Sequence, residues 1–197
     1  MTVGTVFTNV SSISALCIRM LCLFCLSLAV QAEEADVPGE LSIDESLLML
    51  NGSGLRSRLF IDLYVGSLYL SHPESDASNI IQADESMAIR LSIVSSLITG
   101  EKLRDATLDG FNQAVADTSA LDERISRFLR AFSEPLEVGD LFQLSWNPNS
   151  DLLVVTRNDV VVEQIEGLDF KQALFAIWLG EDPVQESLKD EMLGLAD

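Results

Sequence analysis

Residues 141–165 read Leu141-Phe-Gln-Leu-Ser-Trp-Asn-Pro-Asn-Ser-Asp-Leu-Leu-Val-Val-Thr-Arg-Asn-Asp-Val-Val-Val-Glu-Gln-Ile165. Three runs rich in aromatic and β-branched residues, Leu141 to Trp146, Leu152 to Arg157 and Val160 to Ile165, are separated by Asn147-Pro-Asn-Ser-Asp151 and by the pair Asn158-Asp159. Connections this short join antiparallel neighbours, because a parallel crossover needs a dozen residues or more. The stretch is therefore a meander, and it sets the sheet as antiparallel.

On the N-terminal side of the meander the period changes at Pro135. Before it, Thr99 offers an N-cap to a helix in which Leu103, Ala106, Gly110, Phe111 and Ala114 recur at helical spacing up to about Val115. Leu121, Ile125, Phe128, Leu129 and Phe132 make the apolar stripe of a second helix. After the meander, Gly167 closes the last strand and Asp169 is expected to cap a helix from Phe170 to Leu179, stopped by Gly180. A final charged helix follows Pro183, from Val184 to about Leu193. Nearer the N-terminus, Leu47 to Leu50 is a short apolar run. The following Asn51-Gly52-Ser53-Gly54 suits a kink or bulge more than a continuing strand. Phe60 to Leu70 is the longest strand candidate, ended by Ser71-His72-Pro73. Asp76 caps a short helix through Ala83, and Met87 to Val94 alternates with Met87, Ile89, Leu91 and Ile93 on one face. The order of strands, helices, strands and helices predicts an α+β fold, an antiparallel sheet with helices gathered on one face.

The 197 residues are 48% apolar and carry three cysteines, all in the N-terminal apolar stretch at Cys17, Cys22 and Cys25. Its apolar core, with Cys22 and Cys25, follows Arg19, runs from Met20 to Val30 and ends in Gln31-Ala32 before Glu33-Glu34. It is too short to span a bilayer and reads as a secretory signal over 1–32, leaving a single domain over 33–197 in the periplasm or outside the cell. The alternative is an uncleaved membrane anchor. Residues 1–32 hold one basic and no acidic side chain, which leaves 11 basic against 31 acidic groups, a formal charge of −20. Such a surface repels nucleic acid and anionic headgroups, and no nucleic-acid partner or stable membrane insertion is expected after cleavage.

Leu50-Asn-Gly-Ser-Gly-Leu-Arg56, followed by Phe60 to Leu70, is similar to the opening hairpin of the chalcone isomerase fold. Thr99-Gly-Glu-Lys-Leu103, Phe170 to Gly180 and Asp182-Pro183-Val184 resemble that family's later helices in the same order. The likeness covers nearly all of the chain beyond residue 32 and is nearest to the bacterial, signal-bearing chalcone isomerase-like proteins. It implies an open-faced β-sandwich, a large antiparallel sheet covered by helices, with a ligand cleft between them.

Plant chalcone isomerases steady a phenolate with an Arg, helped by a Thr, a Tyr, an Asn and a Ser or Thr. The resemblance places that Arg on Arg56, and the other four on Tyr64, Leu103, Gly110 and Lys171. Arg56 alone matches, which argues against isomerase activity. Fatty-acid-binding members of the fold instead resemble this chain in having a Tyr where the isomerases have Thr. A guanidinium fork with a phenol hydroxyl suits a carboxylate head, and aliphatic walls suit its tail. The expected ligand is thus a small amphipathic carboxylate such as a fatty acid, held by Arg56 and Tyr64, with Lys171 as a second anion contact if it faces the cleft. On one straight strand the eight residues from Arg56 to Tyr64 span roughly 26 Å, too far for a shared ligand. A turn near Ser57-Arg58 brings Tyr64 to about 13 Å from the residue opposite Arg56. Two alternatives stand beside this reading. One is an isomerase of a phenolic or enone substrate, with Arg56 as electrophile and Tyr64 as proton donor or acceptor. The other is an interaction module with a filled cleft and an apolar patch elsewhere.

Tyr69, on the opposite strand parity from Tyr64, reads as a packing residue, and Trp146 and Trp178 as core or pocket wall. His72 is the single imidazole and sits in a loop, and no Cys lies beyond residue 32, so a nucleophilic triad has nothing to build on. No spacing matches a metal site or a phosphate-binding glycine loop, and no cofactor is implied.

Overall fold

The computed structural model describes Met1 and residues 35–196, so the secretory signal expected over 1–32, with its three cysteines, lies outside the described residues. Seven strands form one antiparallel sheet in strict chain order. They are β1 (Glu40–Ile43), β2 (Ser46–Arg58), β3 (Ile61–Leu70), β4 (Met87–Ile93), β5 (Leu141–Asn147), β6 (Leu152–Arg157) and β7 (Val160–Glu166). Helix α1 (Ala77–Gln82) lies between β3 and β4. Helices α2 (Gly100–Ala114) and α3 (Asp122–Leu129) and a 3-10 turn (Arg130–Phe132) lie between β4 and β5, and α4 (Leu168–Leu179) and α5 (Glu186–Met192) follow β7.

Alternation puts Met87, Ile89, Leu91 and Ile93 of β4, Phe142, Leu144 and Trp146 of β5, and Leu153 and Val155 of β6 on the helix-covered face. There they meet Phe111, Phe128, Phe170, Phe175 and Trp178 in the main core. On the other face, Tyr69 packs with Leu48 and Ala88 and donates its hydroxyl to the Pro38 carbonyl at 2.9 Å, the packing role its parity predicts. Sheet, helices and their order agree with the α+β expectation from the sequence.

Two local expectations are corrected. Asn51-Gly52-Ser53-Gly54 does carry the expected bulge, between Leu50 and Gly52, but the strand continues, since β2 runs through the segment. Its glycines serve close approach. A Cβ on Gly52 or Gly54 would collide with Glu191 of α5, so only bare backbone lets that helix sit on the strand. Asn51 ties the same junction, donating to the carbonyls of Glu74 and Met192 at 2.9 and 3.0 Å. Asp169 is not the cap of α4, since Gly167, with φ of 107°, holds that position. The Asp169 carboxylate is instead taken by both terminal nitrogens of Arg124 at 2.7 Å.

Candidate functional site

The β2–β3 hairpin turns at Leu59-Phe60, two residues later than the expected Ser57-Arg58, and Arg58 pairs with Ile61. This register makes Tyr64 itself the residue opposite Arg56. Directly opposed residues share a face with Cα atoms roughly 4.5–5.5 Å apart, so the two side chains are nearest neighbours and need not bridge a gap. The bulge between Arg56 and Ser57 is what shifts the count.

Both residues line a cleft of about 390 Å³ between the hairpin end of the sheet and helices α2 and α4. That volume lies within the range of small-molecule sites, roughly 300–1,000 Å³. Its walls are largely apolar, with Leu59, Ile61 and Leu63 from the hairpin, Leu97 and Ile98 from the loop before α2, Leu103 and Ala106 from α2, and Ile177 and Trp178 from α4. Polar groups enter from Arg56, Arg58, Tyr64, Lys102, Asp105, Thr107 and Asp109.

The polar groups at the centre are held in place. Arg56 Nη1 donates to the Ser57 carbonyl at 2.7 Å and to Gln185 Oε1 at 2.9 Å. The same Gln185 oxygen accepts from Ser57 N at 3.0 Å, while its Nε2 donates to the Leu55 carbonyl at 3.0 Å and to Ser187 Oγ at 2.7 Å. Gln185, the residue before α5, is thus a clamp that fixes one edge of the guanidinium through Nη1. Trp178 Nε1 donates to the Tyr64 hydroxyl at 3.0 Å, which occupies a lone pair and leaves the phenolic hydrogen to donate. Burial pushes the Tyr64 phenol up, against the smaller downward pulls of the Trp178 hydrogen bond and the Arg56 charge. At neutral pH it is a neutral donor beside a cation. No carboxylate lies within ion-pair distance of Arg56, Arg58 or Lys102 among the described residues.

Lys171 is not brought to this site. It is wholly buried on α4, and its Nζ donates to the carbonyls of Ile80, Ile81 and Ala83 at 2.9, 3.0 and 2.8 Å, the orphan acceptors at the end of α1. Burial pushes its ammonium down to about 8, with Asp84 and Glu85 pulling the other way. All three of its N–H bonds are taken up in ending a helix. Leu103 does line the cleft, but as an apolar wall. Gly110 faces α4 so closely that a Cβ there would lie 2.7 Å from Ile177 Cγ2, which leaves no room for an Asn side chain.

Sequence reasoning missed Gln185 and Lys102. Lys102 sits in the first turn of α2, where its ammonium reaches back to the Leu97 carbonyl at 2.9 Å, and its place beside Leu103 was a usable sign. Gln185 gave none, since its role comes from a contact 129 residues away in sequence.

Over residues 29–194 the sequence matches the model of a family described as chalcone isomerase-like. No curated protein matches the chain. Among solved structures, a fatty-acid binding protein of Arabidopsis thaliana is similar, with a TM-score of 0.64 and 22% identity over 80% of this chain and 90% of that one. A family match across the whole sheet and all its helices, together with a shared fold, makes this chain a member of the chalcone isomerase-like family.

Proposed function

We propose that the protein binds a small amphipathic carboxylate, a fatty acid or close analogue, without chemical turnover, in the periplasm or outside the cell. The observation that carries this reading is the Arg56–Tyr64 pair. A guanidinium pinned on one edge by Gln185 and a phenol whose oxygen is engaged by Trp178 both retain donors on the wall of an apolar cleft. A carboxylate accepts from both, and charge-assisted bonds of this kind each contribute roughly 1.5–3 kcal/mol. The apolar walls receive the tail, with burial worth about 0.8 kcal/mol per methylene. The fatty-acid binding protein of similar fold supports the ligand class. An open cleft favours a ligand over a core filled by its own side chains. A neutral, buried Tyr64 fits a donor better than a general base, and Gly110 has no space for a substrate-holding side chain.

Native mass spectrometry of the protein purified from the cells that make it, alongside Arg56→Ala, tests the reading. A bound carboxylic acid present in the wild type and lost in the variant is the expected result. An empty wild-type protein that also takes up no added fatty acid overturns it.

A further inference from the structure

Two tight hairpins in this sheet are built alike, with both central residues at positive φ. At β6–β7 the pair is Asn158-Asp159, with φ of 51° and 64°. Asn and Asp tolerate that region. At β2–β3 the pair is Leu59-Phe60, with φ of 50° and 66°. For bulky side chains such angles are costly, and backbone strain of this kind marks positions held for a purpose other than stability. The two side chains return nothing in packing. Leu59 is 83% exposed and Phe60 fully so, and Ile61 and Leu97 beside them are also exposed. Leu59, Ile61 and Leu97 at the same time line the cleft, so the apolar tip is the rim of its mouth. Arg58 and Lys102 stand at the same rim, exposed and without an ion-paired carboxylate among the described residues, in a chain with 31 acidic groups against 12 basic ones.

We propose that the Leu59-Phe60 tip inserts into the surface of a phospholipid bilayer, with Arg58 and Lys102 on lipid phosphates, so that the cleft opens onto the acyl layer. An aromatic and an aliphatic side chain flanked by cations on flexible stems is the chemistry of an interfacial anchor. Most of the chain's negative charge lies beyond the roughly 8–10 Å over which it acts in physiological salt, and Asp105 and Asp109, which line the same cleft, offset part of the attraction of Arg58 and Lys102, so the apolar tip carries most of the docking. Exchange of ligand between bilayer and cleft rests on the carboxylate-binding reading. Docking itself does not, and it is measured without ligand.

The test uses vesicles of phosphatidylcholine and phosphatidylglycerol in equal parts, in physiological salt. Phe60→Gly relieves the strained φ and removes the inserted ring, so its melting temperature is expected to rise while partitioning onto vesicles falls about tenfold or more. Phe60→Trp gives a local signal, read as the difference from the wild type. Its emission is expected to shift to the blue on adding vesicles and to be quenched by brominated lipid. A Phe60→Trp emission that ignores vesicles, equal partitioning of Phe60→Gly and wild type, or emission already blue-shifted before lipid is added overturns the proposal. The last of these places another protein surface on the tip. Uptake of a soluble short-chain fatty acid, measured on the same proteins, separates the two readings. If the acid binds but the tip stays in water, docking falls alone. If the tip enters lipid and no acid binds, the ligand reading falls alone.

Discussion

The cations of this protein are used in two different ways at two ends of the sheet. Along the seam between α3 and the β6–β7 end, guanidinium groups are matched to carboxylates. Arg124 grips Asp169, Arg127 meets Glu163 and Glu166, Arg130 meets Glu163, and Arg157 meets Asp140 at 2.6 Å. These pairs join α3 to α4, α3 to β7, and β6 to the turn before β5. At the β2–β3 end, Arg56, Arg58 and Lys102 converge on a cleft and touch only carbonyls and the Gln185 amide where they touch anything. The seam spends its charge on holding elements together, while the cleft keeps donors directed at open space. In so acidic a chain, the position of a cation says little until its partner is known. Lys171 makes the point, because burial and three carbonyls mark it as structural.

Substitutions at the two ends should therefore differ in kind as well as in size. The largest loss of stability is expected at the seam from Asp140→Ala. Asp140 is buried and accepts from Arg157 at 2.6 Å, Asn158 at 2.8 Å and the Glu137 amide at 2.7 Å, so its removal strands three donors. Urea unfolding should show a loss of about 3 kcal/mol. The same site sets an acid limit. Burial pushes the Asp140 carboxyl up, but the Arg157, Glu137 and Asn158 bonds outweigh it and hold the group below the usual carboxylate range. Its folded pKa being lowered, it stabilises the fold above the ordinary value near ~3.9 and loses that contribution as pH falls through the folded value. Unfolding midpoints measured down the acid range should drop in the wild type and drop less in Asp140→Asn.

At the cleft, Tyr64→Phe removes one donor to the ligand's carboxylate and is expected to weaken fatty-acid binding by a factor of about 10–100, roughly 1.5–3 kcal/mol. A change in unfolding free energy larger than the change in binding would move Tyr64 to the structural side of the comparison. The smallest effect is expected back at the seam. Asp169→Asn breaks the two-pronged contact with Arg124, but the carboxylate is 61% exposed, so water and salt screen it. A loss of roughly 0.5 kcal/mol, shrinking in high salt, is the outcome that fits.

The sheet and its helices are legible in the sequence because their periods are clean. The meander from Leu141 to Ile165 and the alternation from Met87 to Val94 come through with ends shifted by a residue or so. The misreadings have specific causes. Asn51 to Gly54 has the composition of a turn, but its glycines answer to a helix that arrives from the far end of the chain, which no local pattern records. The hairpin turn escapes a reading by composition because Leu59-Phe60 carries none of the residues that favour positive φ. Asp169 has capping chemistry, yet Gly167 supplies the geometry and Arg124 claims the carboxylate. In the site, Arg56 and Tyr64 are singled out by the family resemblance and brought together by the register. The expectation for Lys171 fails because sequence position on a helix does not reveal which neighbour a long side chain reaches.

Whether the cleft recognises a carboxylate through Arg56 is decided by a pair of binding isotherms, for a fatty acid and for its methyl ester, on the wild type and on Arg56→Ala. The acid should bind the wild type about tenfold to a hundredfold more tightly than the ester, and Arg56→Ala should bring the two close to equal. Equal affinity of acid and ester for the wild type, or a preference for the acid that survives in Arg56→Ala, would refute carboxylate recognition by this residue.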